Sequence, residues 1–324
     1  MEKRRLKVKA IRDRAVFGDK KMGYGIGIDL GGTNIKIVAI SREGQILDRS
    51  TCETETDSPD AWIKTIKTKI LEIELTRKES ARWIGLAAPG LAARDNLSIA
   101  SMPGKLRGLE GLNWTEALQT PHGVPVLNDA HAAMMGEAWL GAAVGYQNVV
   151  LITLGTGVGG AILADGRLLK GNCGRAGHLG HISLDADGPL DIVGTPGSLE
   201  LAIGNSTLAK RSSGRFTSTH QLVEAHINND IVATEIWLTS VHHLAAGITS
   251  IINAIDPEVV IIGGGIANAG PALFNPLKDF LEKIEWRPLG QAVRIVRAAL
   301  DDFAGTIGAV YYAIKSSEEH PDVD

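Results

Sequence analysis

Apolar residues recur along the chain in short strand-like runs separated by glycine turns, and in longer segments with helical spacing. The runs "YGIGIDL" and "NIKIVAI" flank the turn "GGT", and "GQILDRSTCET" continues the pattern, which predicts a three-stranded meander near the start. The segment "DAWIKTIKTKILEIEL" places Trp62, Ile66, Ile70 and Ile73 on one face of a predicted helix. The run "WIGLAAPG" then predicts a buried strand that ends in a Pro-Gly turn.

The second half of the chain repeats this order of elements. The short strand "VPVLND" leads into the alanine-rich predicted helix "AHAAMMGEAWLGAA", and "NVVLITLGTGVGGAILADGRLL" again predicts a strand, a glycine turn and a strand. Residues 24–40 and 148–163 are therefore two similar openings. We predict an α/β protein with two lobes built on related units.

Composition narrows the class of protein. The 324 residues are 44% hydrophobic and carry a formal charge of -4, which is typical of a globular enzyme and gives no reason to expect nucleic acid as a partner. No run approaches the roughly 18 apolar residues of a membrane span, so no membrane contact is predicted. Because Cys52 and Cys173 form no C-x-x-C pair, we expect a reducing, cytoplasmic compartment.

The start of the chain differs from the rest. Residues 1–21, "MEKRRLKVKAIRDRAVFGDKK", are rich in Lys and Arg and lack the continuous apolar core of a signal peptide. They are predicted to form a disordered basic extension, with binding to an anionic surface as the alternative. A helix-turn-helix DNA-binding domain needs more residues than this. Met22 is a second candidate for the natural first residue.

The first glycine turn has a composition suited to phosphate. Asp29 ends the first predicted strand, and Gly31, Gly32 and Thr33 follow it. Glycines let backbone N–H groups approach an anion, the threonine hydroxyl adds a donor, and a carboxylate beside phosphates suits a hydrated Mg²⁺. The alternative is a tight hairpin that uses glycine only for its backbone freedom.

A second and a third glycine cluster extend this pattern. "LGTGVGG" supplies Gly155, Thr156 and Gly157, a second cradle of the same type, and two matched cradles favour nucleotide phosphates. "PEVVIIGGGIANAG" places residues 263–265 after an apolar strand, where a flat ligand such as adenine could lie against the backbone. A routine strand-to-helix turn is the alternative for this third cluster.

Asn128 and Asp129 stand between the cradles, at the end of a predicted strand and the start of a helix. Ligands of open α/β sheets collect at this edge, so Asp129 could accept the proton of an attacking hydroxyl and aim it at a phosphoryl group. Helix N-caps are the alternative, because Asn and Asp are favoured there.

Taken in order, these segments resemble the ROK group of sugar kinases and regulators, within the actin-like ATPase superfamily that includes hexokinases. The resemblance rests on "GIDLGGTNIK", "NDAHAAMMGE", "LGTGVGG", "VVIIGGGIA" and the closing helix "DDFAGTIGAVYYA". It implies a two-lobed, ribonuclease H-like α/β fold with ATP and sugar in the cleft between the lobes. We expect a small lobe over 22–128, completed by a C-terminal helix at 305–318, and a large lobe over 129–304.

The resemblance also implies roles for individual residues and a Mg²⁺ ion on the phosphates. Asp129 is expected to be the catalytic base, with Mg²⁺ held by Asp29 through water. The expected ATP and phosphate ligands are Asp29, Gly31, Gly32, Thr33, Lys36, Gly155, Thr156, Gly157, Gly263, Gly264 and Gly265. The expected sugar ligands are Asn128, Asp129, His178, His181, Glu200 and Lys105. Homodimers are common in the family, so a homodimer is a candidate assembly, although the sequence itself does not set the oligomeric state.

This chain departs from the family at the zinc module. ROK proteins carry A-G-E-x-G-H followed by a cysteine-rich motif, but the three thiolate positions here are Asp191, Val193 and Ser198. A structural zinc site needs four good nitrogen or sulfur ligands, and His181 keeps at most one credible companion. No structural zinc is predicted, and the nearby turn is expected to hold through Asp185, Asp187 and Pro189 instead.

The expected sugar ligands also depart from the pattern of the family. His178 stands where the family has Glu, and Lys105 aligns with a sugar-binding Asn, which together suggest an acidic or otherwise decorated sugar. Asn113 competes with Lys105 for that position, and Lys105 and Arg107 could simply be solvated. The leading hypothesis is a kinase for a hexose, first of all glucose. The alternatives are an N-acetylhexosamine or acidic-sugar kinase, a sugar-sensing regulator, and an ATPase without a small acceptor.

Overall fold

The computed structural model describes residues 23–55, 59–102 and 106–319. The predicted basic extension over 1–21, Met22 and the predicted sugar ligand Lys105 lie outside the described residues. The described residues fold around two five-stranded sheets.

The first sheet has the strand order β3-β2-β1-β4-β7. Its first three strands form the antiparallel meander that the sequence predicts, and the last two lie parallel to β1. Their bounds are β1 Tyr24–Leu30, β2 Asn34–Ser41, β3 Ile46–Glu53, β4 Trp83–Ala88 and β7 Val126–Asn128. A separate pair, β5 Leu91–Ala92 and β6 Ile99–Ser101, lies between β4 and β7 in the sequence.

The second sheet has the order β10-β9-β8-β11-β12 and repeats this layout with one meander and two parallel strands. Its strands are β8 Val149–Leu154, β9 Val158–Ala164, β10 Arg167–Leu168, β11 Val259–Gly263 and β12 Arg294–Arg297. The two openings that look alike in the sequence therefore form equivalent parts of two sheets.

Nine α-helices pack on these sheets within the described residues. They are α1 Pro59–Arg77, α2 Trp114–Leu118, α3 Asp129–Leu140, α4 Leu199–Ile203, α5 Leu208–Arg211, α6 Thr219–Ile227, α7 Ile231–Ile255, α8 Pro271–Ile284 and α9 Ala304–Glu319. The predicted apolar face of α1 is confirmed, since Trp62, Ile66, Ile70 and Ile73 are all buried against the first sheet.

The longest helix, α7, meets the length and composition of a membrane span, alone among the helices of the described ranges. In this fold its apolar side chains pack against the second sheet. Trp237, Leu244 and Ile248 are fully buried and pack in the core of the second sheet. The apolar character of α7 is that of a core helix.

The last helix, α9, packs on the first sheet so closely that the backbones of helix and strands are in contact. A Cβ atom on Gly27 of β1 would lie 1.9 Å from the carbonyl oxygen of Thr306, and one on Gly85 of β4 would lie 2.0 Å from that of Ala309. The same helix crosses α3 just as closely, because a Cβ on Gly308 would lie 1.7 Å from the Ala132 oxygen. No side chain larger than hydrogen fits at these crossings.

We therefore expect Gly27→Ala to lower the free energy of unfolding by about 3 kcal/mol or to prevent folding, because an overpacked core must shift its backbone. Urea denaturation followed by circular dichroism measures this. Gly123→Ala is the matched control, since nothing lies within 4 Å of that missing Cβ. If both variants have the stability of the parent protein, the close packing of α9 is not required.

Candidate active site

Two carboxylates, those of Asp29 and Asp129, lie at the same edge of the first sheet. Asp29 lies near the end of β1, and Asn128 and Asp129 lie where β7 passes into α3. Since β1, β4 and β7 run parallel and in this order, their carboxyl ends share an edge. Strands two apart are separated by roughly 10 Å, which leaves room for reacting groups between the two sites.

Asn128 caps helix α3. Its Oδ1 accepts hydrogen bonds from the amides of Ala130 at 3.0 Å and His131 at 3.4 Å. Its Nδ2 donates to the carbonyl oxygen of Gly90 at 2.8 Å. Of the two interpretations open for this residue, the helix cap is the one that the structure realises, and a contact with sugar stays a prediction.

Asp129 begins the helix with its carboxylate only partly engaged. Its Oδ1 accepts from the amide of Ala130 at 2.8 Å. The side chain is exposed to solvent at the sheet edge although it is closely surrounded by protein. This low-dielectric environment raises the pKa of Asp129, and the Ala130 amide and nearby His178 only partly oppose the shift. The carboxylate is thus a stronger base than an ordinary aspartate.

Asp29 has an even larger shift. Burial and, next, the charge of Asp129 raise its pKa to about 7, while Lys36 opposes the change. Lys36 faces Asp29 across the β1–β2 ladder, and its Nζ donates to the carbonyl oxygen of Asp302 at 3.2 Å. Within the described chain no group donates a hydrogen bond to the Asp29 carboxylate. A bound cation would lower this electrostatic cost, so the site fits Mg²⁺ chemically.

The first glycine turn keeps two adjacent amides unpaired. Its frame is closed by the Gly31 amide, which donates to the Asn34 oxygen at 2.9 Å. Thr54, the residue after β3, holds the turn, because its hydroxyl donates to the Gly31 oxygen at 2.8 Å and its amide to the Thr33 oxygen at 2.8 Å. The amides of Gly32 and Thr33 have no acceptor among the residues that the structure describes, which is the arrangement expected of a phosphate cradle.

The second glycine turn is built the same way. Glu200 accepts from the amide of Val158 at 2.9 Å, and its Oε2 occupies the place that a Cβ on Gly157 would need. Backbone amides from 205–206 donate to the oxygens of Gly155 and Thr156 at 3.0 and 2.9 Å. The described residues offer no acceptor to the amides of Thr156 and Gly157. Each turn thus presents two free N–H groups.

In the third glycine cluster, two glycines shape the backbone and one lines a cavity. Gly264 has φ +81°, and a Cβ there would meet the Leu154 oxygen at 2.3 Å, so this glycine is required by the turn. Gly263 ends β11 inside the sheet. Only Gly265 of the three lines the cavity beside it, with open space where a side chain would be.

That cavity has a volume of about 800 Å³ and joins the second turn to the third cluster. Its other wall is formed by Asn205 and by the face of α6, which motif reasoning missed. Asn205 holds this wall because its Oδ1 accepts from the amide of Thr219 at 2.7 Å and from its hydroxyl at 2.9 Å. The size and the glycine floor suit a nucleoside.

Three histidines lie together beside Asp129. The rings of His131 and His178 are edge to face with centroids 5.8 Å apart. Burial, and then the neighbouring His181, lowers the pKa of His178. His178 is therefore a neutral imidazole at neutral pH, with one donor and one acceptor in place of the two acceptor oxygens of a glutamate.

A hydrogen-bonded carboxylate organises the former zinc loop. His181 Nδ1 lies 2.8 Å from Asp191 Oδ2. Asp191 Oδ1 accepts from the amides of Val193 at 3.0 Å and Thr195 at 2.9 Å. Burial raises the pKa of Asp191, but the hydrogen bonds from His181, Thr195 and Val193 outweigh it and hold the pKa below its usual value. The predicted companion of His181 is thus Asp191.

The turn next to this loop has the predicted chemistry. The amide of Asp187 donates to Asp185 Oδ1 at 3.0 Å, and the amide of Gly197 donates to the Pro189 oxygen at 2.8 Å. Elsewhere, Asn113 caps α2 by accepting from the amides of Thr115 and Glu116, which explains it without a ligand.

Comparison with known proteins adds to this geometry. The model of the ROK family matches residues 25–316. A glucokinase of Thermotoga maritima is 32% identical over 305 residues, which cover 88% of this chain and 95% of the relative.

Solved structures agree with this match. A ROK hexokinase from Thermus thermophilus superposes with a TM-score of 0.80 at 27% identity, covering 91% of this chain and 99% of the other. A ROK family glucokinase from Streptomyces griseus, solved with glucose and AMPPNP, has a TM-score of 0.75 at 25% identity and covers 90% of this chain and 100% of its own. The expected two-lobed actin-like fold is confirmed.

The Asp191 loop gives a testable result. We expect Asp191→Ala to lower the free energy of unfolding by about 2 kcal/mol, because three donors lose their acceptor. A group whose pKa falls on folding stabilises above its unfolded pKa and loses that effect as the pH drops through the folded pKa. The difference between parent and variant should thus persist from neutral to mildly acidic pH and shrink only in strong acid.

Urea denaturation across a pH series measures this difference. Asp187→Ala is the matched control, since no described residue donates to that side chain. Equal stability of the two variants at neutral pH would show that Asp191 does not organise the loop.

Proposed function

This chain belongs to the ROK family, and on that premise we propose that it is an ATP-dependent sugar kinase that phosphorylates a hydroxyl of a hexose, with glucose as the first candidate. The observation that carries the proposal is the combination at the sheet edge. A basic carboxylate, Asp129, lies at the same edge as Asp29, and two glycine turns each present a pair of unpaired amides.

In this proposal the nucleotide occupies the cavity of about 800 Å³ with its base against Gly265 and α6. Its phosphates reach the amides of Gly32, Thr33, Thr156 and Gly157, which would otherwise stay unpaired. Asp29 is the residue that would hold a hydrated Mg²⁺, whose charge would neutralise the phosphate oxygens when bound. Gly263 and Gly264 do not line this cavity, and they contribute only by letting the backbone form the turn that places Gly265.

Asp129 acts on the acceptor. Its carboxylate accepts a hydrogen bond from the reacting hydroxyl, orients the oxygen and takes its proton as the new bond to the γ-phosphorus forms. The bond between that phosphorus and the β,γ-bridging oxygen breaks in the same transfer, and ADP leaves. The raised pKa favours this transfer. Glu200 couples the two substrates, because one of its oxygens holds the second phosphate turn and the other remains for a sugar hydroxyl.

The histidines complete the sugar pocket. Asp191 is ionised and can only accept, so Nδ1 of His181 carries a proton, and Nε2 is the ring nitrogen left for the sugar. Nδ1 of His178 is buried without a partner among the described residues, so its Nε2 is the ring nitrogen left for the sugar. A neutral imidazole nitrogen can pair with a sugar hydroxyl, so this pocket accepts a neutral hexose although it lacks the family glutamate. Asn128 supports the pocket as the cap of α3.

The remaining expectations belong to the same proposal. We place the boundary between a small and a large lobe near Asp129, with α9 returning to the small lobe, and expect sugar binding to close the lobes and exclude water. The kinase is expected to act in the cytoplasm, where ATP and sugar are present, and to form a homodimer.

Replacing Asp129 by Asn tests the proposal. We expect kcat to fall about a thousandfold, since the general base is lost, while nucleotide affinity changes little. The measurement is ADP release with Mg·ATP against glucose, mannose, fructose, N-acetylglucosamine, N-acetylmannosamine, allose and acidic sugars. Turnover of a neutral hexose supports glucokinase-type chemistry, and turnover of an acidic sugar alone would change the substrate class.

The matched control is Asp279→Asn, a carboxylate on the exposed face of α8. Near-full activity of the Asp129 variant would reject this residue as the base. Sugar binding without turnover of any acceptor by the parent protein would favour a sensor over a kinase.

A second variant tests the nucleotide cavity. Gly265→Leu should raise KM for ATP about tenfold or more, because the new side chain fills space that the nucleoside needs. The affinity for sugar and the unfolding temperature should stay unchanged, since no atom lies within 4 Å of the missing Cβ. Steady-state kinetics with varied ATP measures the effect, with Gly123→Leu as control. Unchanged KM would place the nucleotide elsewhere.

A further inference from the structure

A second, smaller cavity lies behind the histidines. It has a volume of about 160 Å³, or roughly the space of five water molecules. Its walls come from both halves of the chain. Ala92, Arg94 and Asn96 lie at the end of β5 and in the turn before β6, whereas His131, Lys170 and Gly174 belong to α3 and to the segment after β10.

The lining of this cavity is cationic. Lys170 Nζ donates to Asn96 Oδ1 at 2.7 Å and to the Tyr312 hydroxyl at 3.3 Å, and both partners are neutral. Arg94 is exposed at the mouth of the cavity. None of the described lining residues is a carboxylate, and within the described ranges neither cation forms an ion pair. Two positive charges thus share a small space without a counter-charge.

His131 adds an acceptor to this cationic lining. Its Nε2 lies 2.9 Å from the carbonyl oxygen of Ala176, which can only accept, so Nε2 carries the proton. Burial lowers the pKa of His131 to about 4, helped by the charges of His178 and Lys170. The ring is therefore neutral at neutral pH, and Nδ1 keeps its lone pair with no partner among the described residues. A ring only 2% exposed thus has an unused acceptor.

We propose that this cavity binds a small tetrahedral oxyanion that also carries an O–H group, with hydrogen phosphate as the matching ligand. The ammonium of Lys170 and the guanidinium of Arg94 donate to its oxygens. The Nδ1 atom of His131 accepts its O–H. Sulfate has the same shape but has no proton to donate near neutral pH, so the acceptor discriminates between the two ions.

Phosphate in this cavity would connect the two halves of the protein. Arg94 and Lys170 lie on different halves, and one anion can pair with both. The site also contacts the proposed sugar pocket, since His131 and His178 stack edge to face. The bound anion therefore stabilises the present arrangement of the loops beside the sugar. Because the proposal concerns binding alone, it does not depend on the kinase activity.

Isothermal titration calorimetry of the full-length protein near neutral pH, at low salt, tests the proposal. AMPPNP with Mg²⁺ is present at saturation, so that the phosphate turns of the nucleotide site are filled. Inorganic phosphate, sulfate and glycerol 3-phosphate are titrated separately. We expect phosphate to bind at least about threefold more tightly than sulfate, because only phosphate satisfies His131.

Glycerol 3-phosphate distinguishes the source of the ligand. Binding as tight as that of inorganic phosphate would support oxyanion binding but overturn the role of the O–H group. Clearly weaker binding supports the free ion. Equal binding of sulfate and phosphate would overturn the role of His131, and no binding of any oxyanion would overturn the site.

Arg94→Gln locates the ion. The side chain makes no hydrogen bond within the described chain, so the variant should fold, and phosphate binding should weaken at least about threefold. Arg167→Gln is the matched control, because it removes the same charge from an exposed position on β10 outside the cavity. Equal effects of both variants would mean general charge attraction and would overturn the placement.

Discussion

The contact on which the structure depends is that of the last helix with the backbone of the first sheet. Helix α9 lies against glycines of β1 and β4 and crosses α3 with only hydrogen atoms between the backbones. This closeness fixes the two strand ends that carry Asp29 and Asp129 with respect to each other. It also brings Gly305, at the start of α9, to the Asp29 carboxylate, where a Cβ would lie 3.0 Å from Oδ2. The chemistry at the sheet edge thus depends on residues near the end of the chain.

A second fixed point comes from carboxylates that accept backbone amides. Glu137 of α3 is fully buried, and it accepts from Ala142 and, at 2.9 Å each, from Ala299 and Leu300. It thereby joins the end of α3 to the approach to α9. Glu200 and Asp191 act in the same way at the second turn and at the His181 loop. Several hydrogen bonds offset the cost of burying Glu137 and Asp191, whereas Glu200 accepts one, from Val158.

Much of this fold could be predicted from local patterns. The spacing of Trp62 and Ile66 identified the buried face of α1, and the two similar openings identified the two sheets, because periodicity and glycine turns are local properties of a sequence. The supports of the site could not be found in this way. Thr54 reaches Gly31 from 23 residues away, and Glu137 reaches Ala299 across 162. Such pairs are created only by packing. Asn128 shows a different limit of sequence analysis. An Asn that caps a helix and an Asn that binds a sugar look the same in a sequence.

The loop around Asp191, which stands where the family has its zinc module, holds one residue of the proposed sugar pocket, His181. A histidine that ligates a metal through one nitrogen has a proton on the other and donates it. Here Nδ1 of His181 donates to Asp191, so Nε2 is the nitrogen left for the proposed sugar. At the neighbouring position His178 stands in place of an acceptor-only glutamate, and its Nδ1 is buried without a partner among the described residues. The rings of His178 and His131 stack edge to face, and His131 lines the cationic cavity, so the proposed sugar pocket and the proposed anion site share one group of histidines.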